Sequence, residues 1–280
     1  MISRQATADD FPVIRLLLAH ADLPTADVAP EVGRFVVAEE QGEIVGTAGV
    51  ECYGTVGLLR SVATSPAVRG QGIALRLCAE AICHARETGV RELYLLTTTA
   101  PGFFERLGFQ RLARVDAPDT LRESREFREL CPASSVLMRK PLDAVSADAA
   151  PSRVRIAYEQ FLRGEPSTFI EMLDPGAVYH LPGGHMGGGR LQGREAIFGR
   201  VAAALQAYDA SPTVRVLAAR GDDSVVLTSE RYTGRRGIRR LDQQVCVVWR
   251  LEHDRCVELW AHFESQDACD AFWAGWRATD

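Results

Sequence analysis

The sequence predicts an α/β (α+β) protein in two parts, each built on its own sheet. Three observations carry that reading. Residues 1–142 alternate strand and helix patterns in the order β-α-β-β-β-α-β-α-β. Residues 153–280 place three helix patterns ahead of four long strand patterns, which suggests a curled sheet wrapping a cone-shaped cavity. Residues 143–152, Asp143 to Ser152, are small, polar and patternless and read as a linker. A chain of 280 residues is long enough for two domains.

In order, Ile2–Arg4 is a short strand. Thr7 is placed to cap a helix carrying Asp9 and Asp10 in its first turn and Ile14, Leu17 and Leu18 on one face. Residues 21–33 read as a loop. Phe35–Glu39 and Ile44–Glu51 are strands joined by a hairpin turn at Gln41-Gly42-Glu43. Val56–Thr64 is the next strand. A helix runs from about Gly72 to Thr88, with Leu75, Cys78, Ala79 and Ile82 at core spacing and Gly89 placed to end it. Leu93–Leu96 reads as a strand buried on both faces. Pro101–Leu107 is a short helix, residues 114–134 are long and charged, and Val136–Met138 is a last strand.

The central stretch is Arg60-Ser61-Val62-Ala63-Thr64 followed by Arg69-Gly70-Gln71-Gly72-Ile73-Ala74. A strand runs into a Gly-rich loop that opens a helix. Glycine lets the backbone approach a ligand, and the first N–H groups of the helix are unpaired donors at its positive end. This is a cradle for an anion such as a pyrophosphate. The spacing fits neither a dinucleotide fingerprint nor a P-loop.

Arg69-x-x-Gly72-x-Ala74 after a strand resembles the acyl-CoA signature of the GNAT superfamily of N-acetyltransferases, as does Phe103-Phe104-Glu105-Arg106-Leu107-Gly108-Phe109 further on. Gly57–Ser61, Leu95–Thr99 and Leu130–Ser134 are similar to the arsenic-resistance N-acetyltransferase subgroup. The resemblance implies a mixed sheet whose central strands splay apart around the cofactor arm. It implies acetyl-CoA as co-substrate, held by backbone of Val62, Ala63 and Thr64, by N–H groups from Arg69 to Ala74, and by packing on Phe104. Many relatives carry a Tyr at the position of Phe104 that protonates the leaving thiolate. Phe cannot, which leaves unassisted departure or a donor among Cys131, Ser134 and Thr98.

Acyl transfer to an amine also needs a neutral amine and a polarised thioester. Glu51, at the end of an apolar strand, is the candidate base; the alternative is a solvated strand end. Arg60 lies inside an apolar run and needs a partner. It either binds an acceptor carboxylate or oxyanion, together with Ser61, or pairs with Glu51. Thr97 and Thr98 either line the acceptor site or end the strand. An amine-bearing organoarsenical or a glutamate-like toxin suits a site holding both Glu51 and Arg60. No cysteine pair has ligand-like spacing, so no metal is expected.

In the second half, Val154–Leu162, Phe169–Leu173 and a segment opened by Gly193-Arg194-Glu195 read as helices. Strands follow at 213–218, 224–233, 241–251 and 255–264, then a helix from Asp267 to Trp276. Val178-Tyr179-His180-Leu181-Pro182-Gly183, Leu191–Glu195 and Asp267-x-x-x-Asp270-Ala271-Phe272-Trp273 resemble the SnoaL-like, nuclear transport factor two-like domains. That fold does not dictate an activity. His180, Gln244 and Trp260 are the expected cavity residues, with His185, Glu230 and His262 as further candidates.

The net charge of −5 gives a nucleic-acid or anionic-membrane role no electrostatic support. Seven scattered cysteines and no secretory pattern point to a reducing, cytoplasmic setting. The expected function is an acetyl-CoA-dependent N-acetyltransferase for a small amine, with a C-terminal ligand-binding or dimerisation domain. The alternatives are a non-catalytic acyl-CoA-binding protein and a bifunctional enzyme with a SnoaL-like isomerase, cyclase or hydrolase activity.

Overall fold

The computed structural model describes residues 1–29, 34–142, 150–183, 188–209 and 213–276. The chain divides into two compact units, Ser3–Val145 and Ser146–Asp280, the latter joined by Met1 and Ile2.

The N-terminal unit contains β1 (Ile2–Gln5), α1 (Phe11–His20), β2 (Arg34–Glu40), β3 (Glu43–Tyr53), β4 (Val56–Thr64), α2 (Ile73–Glu87), β5 (Glu92–Thr97), α3 (Pro101–Arg106), β6 (Gln110–Leu112), α4 (Asp119–Arg122) and β7 (Val136–Pro141). Its sheet has the order β1-β2-β3-β4-β5-β7-β6. The short strand β6 was not expected; it pairs with β7 over three residues, too short for an alternation pattern to register. Thr7 caps the first turn as expected, with Asp10 accepting from its N–H at 2.6 Å. Ile14 and Leu18 are fully buried against Phe35 and Val37, while Leu17 is only partly buried. In α2 the expected stripe is buried, and Gly89 follows the helix at φ +92°.

The feature that shapes this sheet is a fork. β4 runs parallel to β5 only from Val56↔Glu92 to Leu58↔Tyr94. Gly57 permits that close approach, since a Cβ there would meet Leu93 at 2.9 Å. Beyond it, the β3–β4 register slips between Thr47↔Ala63 and Gly49↔Arg60, and Ser61 takes φ +55°. A bulge of this kind bends its strand and increases the local twist. The bulged stretch lies beyond the last β4–β5 pair, so Leu59–Thr64 and Leu95–Thr97 do not pair with each other.

The C-terminal unit contains α5 (Ala150–Leu162), α6 (Ser167–Met172), β8 (Leu173–Leu181), β9 (Gly189–Gln192), α7 (Arg194–Gln206), β10 (Thr213–Gly221), β11 (Val225–Arg236), β12 (Arg239–Glu252), β13 (Arg255–Phe263) and α8 (Gln266–Trp273). α5 begins at Ala150, inside the stretch expected to be linker; Ala150 and Pro151 are buried, and Ala150 N–H donates to Asp223 at 3.1 Å. Residues 143–149 lie outside the described residues. The second sheet has the order β10-β11-β12-β13-β8-β9. Its helices cover one face, where Val226, Val245, Val247, Trp249, Leu259 and Ala261 pack with Val154, Tyr158, Phe161 and Ile197.

Candidate functional site

The fork opens into a pocket of about 730 Å³, within the ~300–1,000 Å³ usual for ligand sites. Three elements converge on it: the bent end of β4 from Leu59 to Thr64, the end of β5 with Thr97 and Thr98, and Phe103 and Phe104 of α3. Ala74 from the first turn of α2 completes one side. Phe104 is buried, edge-to-face with Phe103 at 5.0 Å and with Phe109 at 5.9 Å. Thr97 is partly committed: its Oγ1 accepts from the N–H of Ala100 at 3.2 Å, closing the turn into α3. Thr98 is exposed on the pocket rim.

The loop before α2 has the character of an anion cradle. Gly70 and Gly72 have φ +78° and +75°, a region that favours glycine. A Cβ on Gly70 would meet nothing within 4 Å. Arg69, Gly70 and Gln71 are exposed, Gly72 caps the helix with its backbone, and Ile73 alone turns into the core. No side chain caps the helix. The first-turn N–H groups therefore meet the physical requirement for a phosphate. The exposed glycine loop and the pocket together fit a long substrate such as an acyl-CoA, phosphates at the loop and acyl arm in the fork.

Arg60 lines the pocket and is held by three carboxylates. Its Nη1 and Nη2 grip Asp27 in a fork at 2.5 and 2.7 Å. Nη1 also donates to Glu51, and Nη2 lies 2.8 Å from Glu126 Oε2. Burial works against the Arg60 charge, but Asp27, Glu126 and Glu51 outweigh it and hold the guanidinium firmly protonated. Burial likewise opposes ionisation of Asp27, yet its hydrogen bonds to Arg60 bring its carboxyl below the usual range.

The pairing of Arg60 with Glu51 is one of the two alternatives the sequence left open for Arg60. Glu51 is buried behind Arg60, accepts from Tyr53 Oη at 2.5 Å, and is not among the pocket-lining residues. Arg60 reaches the pocket but is already saturated by carboxylates, so it has no free fork for an acceptor carboxylate.

Two carboxylates do line the pocket, Asp22 and Glu126, the latter in a π-helical turn, Glu126–Leu130, within the charged segment where no element was expected. Ala117 and Leu121 anchor that segment in a cluster with Leu58, Tyr94 and Leu137. Burial pushes the Glu126 carboxyl up, against the pull of Arg60. Cys131 Sγ donates to Glu126 Oε1 at 3.4 Å, and burial with the Glu126 charge pushes that thiol up to about 12. Ser134 is exposed and outside the pocket; its neighbour Ser135 lines it, with Oγ donating to Pro132 O. The sequence signal for Glu126 was faint: one acid in a run of alternating charge from Arg114 to Glu129.

In the C-terminal unit a cavity of about 60 Å³ lies under α7, lined by Tyr158, Tyr179, Arg200, Tyr208 and Tyr232 among apolar side chains. Beside it Glu230 is fully buried. Thr228 Oγ1 donates to its Oε1 at 2.6 Å and Tyr232 Oη to its Oε2 at 2.9 Å. Tyr158 Oη shares a hydrogen bond with Tyr232 Oη at 2.5 Å, and Trp249 Nε1 donates to Thr228 at 2.9 Å. Complete burial pushes the Glu230 carboxyl up to about 7, against these donors.

His180, Gln244 and Trp260 do not line this cavity. They alternate with the helix-facing residues and occupy the opposite sheet face. There His180 stacks on Trp260 at 4.9 Å and bonds Glu258 at 3.0 Å. Gln244 is exposed; its neighbour Gln243 is buried on the helix side. His185 lies outside the described residues. Among the described residues, no His, Cys, Asp or Glu cluster could hold a metal ion.

These features define the class: a forked mixed-sheet domain with a helix-terminus anion cradle, followed by an α+β cone domain. Residues 31–111 match the family model of the acetyltransferase (GNAT) domain, and residues 154–259 match that of the SnoaL-like domain. The N-terminal unit is thus GNAT-like and the C-terminal unit SnoaL-like. It is 28% identical over 146 residues to the amino-acid acetyltransferase of Neisseria meningitidis, covering 49% of this chain and 33% of that relative. The chain thus spans about a third of that relative's length.

N-acetylglutamate synthase from Neisseria gonorrhoeae, solved with coenzyme A and N-acetyl-glutamate, is similar at 24% identity and a TM-score of 0.44, over 51% of this chain and 35% of that one. A Xanthomonas campestris protein of unknown function with a cystatin-like fold is similar at 19% identity and a TM-score of 0.41, over 44% of this chain and 97% of that one. Among the described residues, no helix is long and apolar enough to cross a membrane.

Proposed function

We propose that the N-terminal unit is an acetyl-CoA-dependent N-acetyltransferase acting on a small amine, and that the SnoaL-like unit is an accessory to it. The observation that carries this reading is the fork, where β4 and β5 part after Leu58 and Tyr94 beside the glycine cradle. The N–H groups from Arg69 to Ala74 take the pyrophosphate. Backbone of Val62, Ala63 and Thr64 takes the acyl arm, and Phe104 packs against it.

The reaction balances simply. The acceptor ammonium gives up one proton to become a nucleophile. Its nitrogen attacks the thioester carbonyl, the N–C bond forms and the C–S bond breaks. The thiolate takes a second proton from that nitrogen, so one proton is released overall. Glu126, on the pocket wall, is the base for the first proton. Burial raises its carboxyl above the ordinary range, which makes it a stronger base for that task. Cys131 does not suit the last step. A thiol at about 12 gives a proton to an ordinary thiolate, near ~8.5, only uphill.

The cone's cavity of about 60 Å³ falls well short of ordinary ligand pockets. This favours an accessory role over an independent activity on a sizeable substrate. An organoarsenical or other toxic amine is among the acceptors to be tried.

The test is free thiol released from acetyl-CoA by the purified protein across an amine panel, with thermal stabilisation by acetyl-CoA in parallel. Acceptor-dependent release supports transfer. Stabilisation without release favours a protein that only binds acyl-CoA, and the absence of both would refute the assignment.

A further inference from the structure

The charge balance of the acceptor side narrows the amine. Three carboxylates, Asp27, Glu51 and Glu126, surround the single guanidinium of Arg60, an excess of two negative charges when all are ionised. Glu126 is buried, lines the pocket, and its Oε2 accepts no hydrogen bond although Arg60 lies 2.8 Å away. The other charged groups on the pocket wall are Arg60 itself and Asp22.

No second cation faces the pocket among the described residues. Arg114 is spent on Pro132 O, Ser135 Oγ and Phe127 O, and its guanidinium lies 4.4 Å over the Phe127 ring. Arg125 pairs with Glu129 on the exposed side of the turn. Residues 30–33 and 143–149 contain no Lys or Arg.

We infer that the acceptor is a cationic amine without a carboxylate beside it, its ammonium seated against Glu126. This rests on the transfer reading above. An α-amino acid would bring its carboxylate to a wall carrying Glu126 and Asp22 with no free guanidinium to receive it, and like charges juxtaposed without screening are strongly disfavoured. A decarboxylated amine brings only the charge the wall lacks. Glu126 is thus both the specificity determinant for the acceptor and the group positioned to receive its proton.

The experiment compares matched pairs on the full chain: tyramine with tyrosine, histamine with histidine, and cadaverine with lysine. The expected result is that each amine exceeds its amino acid in kcat/KM by roughly tenfold or more. In Glu126→Gln, KM for the amine should rise by about tenfold while acetyl-CoA affinity stays unchanged, and Glu126→Asp should recover part of the loss. A merely structural Glu126 would move acetyl-CoA affinity along with KM, and Glu126→Asp would not recover the loss.

Preference for the amino acids would overturn the inference. Acetyl-CoA binding with no turnover of either set would overturn the acceptor assignment and leave binding intact. Absence of acetyl-CoA binding would overturn the transfer reading itself, and the acceptor assignment with it.

Discussion

Arg60 Nη2 and Glu126 Oε2 meet at 2.8 Å on the wall of the N-terminal pocket, joining the bent end of β4 to a turn much later in the chain. The same guanidinium holds Asp27 and Glu51, so one charge organises three segments. Removing a partner from such a cluster leaves uncompensated buried charge, which costs more than the pair contributes.

Arg60→Ala should therefore destabilise the N-terminal unit by about 3–5 kcal/mol. Arg60→Lys should recover only part, because an ammonium cannot reproduce the two-pronged grip on Asp27. Thermal unfolding of both variants checks this; an Arg60→Lys protein as stable as wild type would refute the bidentate argument.

Glu126→Gln should act in the opposite sense. Burial raises the Glu126 carboxyl above its unfolded value. Its contribution to stability is therefore fully present below ~4.3 and is lost as pH rises through the folded value. The variant should gain on wild type as pH rises from about pH 4 to about pH 8. Denaturant unfolding at the two pH values measures it.

Glu230 predicts a second pH dependence, in the C-terminal unit. Its carboxyl is pushed up to about 7 by complete burial, against ~4.3 when unfolded. Stability should fall as pH rises through about 7, by of order 3 kcal/mol over the whole window. Glu230→Gln keeps the Thr228 and Tyr232 donors within reach of its amide oxygen and should flatten the profile. Calorimetry from about pH 5 to pH 9 distinguishes the two; identical slopes would mean Glu230 does not titrate there.

Gly70→Ala separates folding from binding. A Cβ has open space, so the backbone at φ +78° sets the folding cost, about 1 kcal/mol. Acetyl-CoA affinity should fall further than that, since the loop would no longer present its backbone at the same distance. Affinity unchanged in this variant removes the cradle from the binding site.

Phe104→Tyr adds a hydroxyl to a ring already on the pocket wall. If the thiolate leaves without a proton donor, the variant should raise kcat and leave acetyl-CoA affinity near its starting value. Cys131→Ala should leave kcat within about threefold, because a thiol held at about 12 is a poor donor. A collapse of kcat in Cys131→Ala would reinstate that thiol as the acid.

Much of the fold was legible along the chain. The stripe of α2, the cap at Thr7, the glycine loop and the four long strands of the second sheet each depend on residues close in sequence. Alternation and helical spacing report such elements directly. The glycines of the loop before α2 pointed to backbone open to a ligand, and the loop does carry them at positive φ. The site itself was less legible. Arg60 inside an apolar run showed that it needed a partner and did not reveal how many it would find. Glu126 sat in a segment of mixed charge without periodicity, and nothing local separated it from its neighbours. In the second unit Gln243 and Gln244 differ by one position, and a shift of one residue exchanges the two faces of a strand. His180 and Trp260 fell on the opposite face for the same reason.

The sequence alone determined the two-part α/β and α+β architecture, the helix-terminus cradle and the absence of a hydroxyl at Phe104, because these follow from chain chemistry at short range. The tertiary structure decided which carboxylate reaches the pocket, how fully Arg60 is neutralised, and which sheet face carries the cone's cavity. Those depend on burial and on charges brought together from distant segments, and pairwise Coulomb and desolvation energies have no counterpart in local spacing.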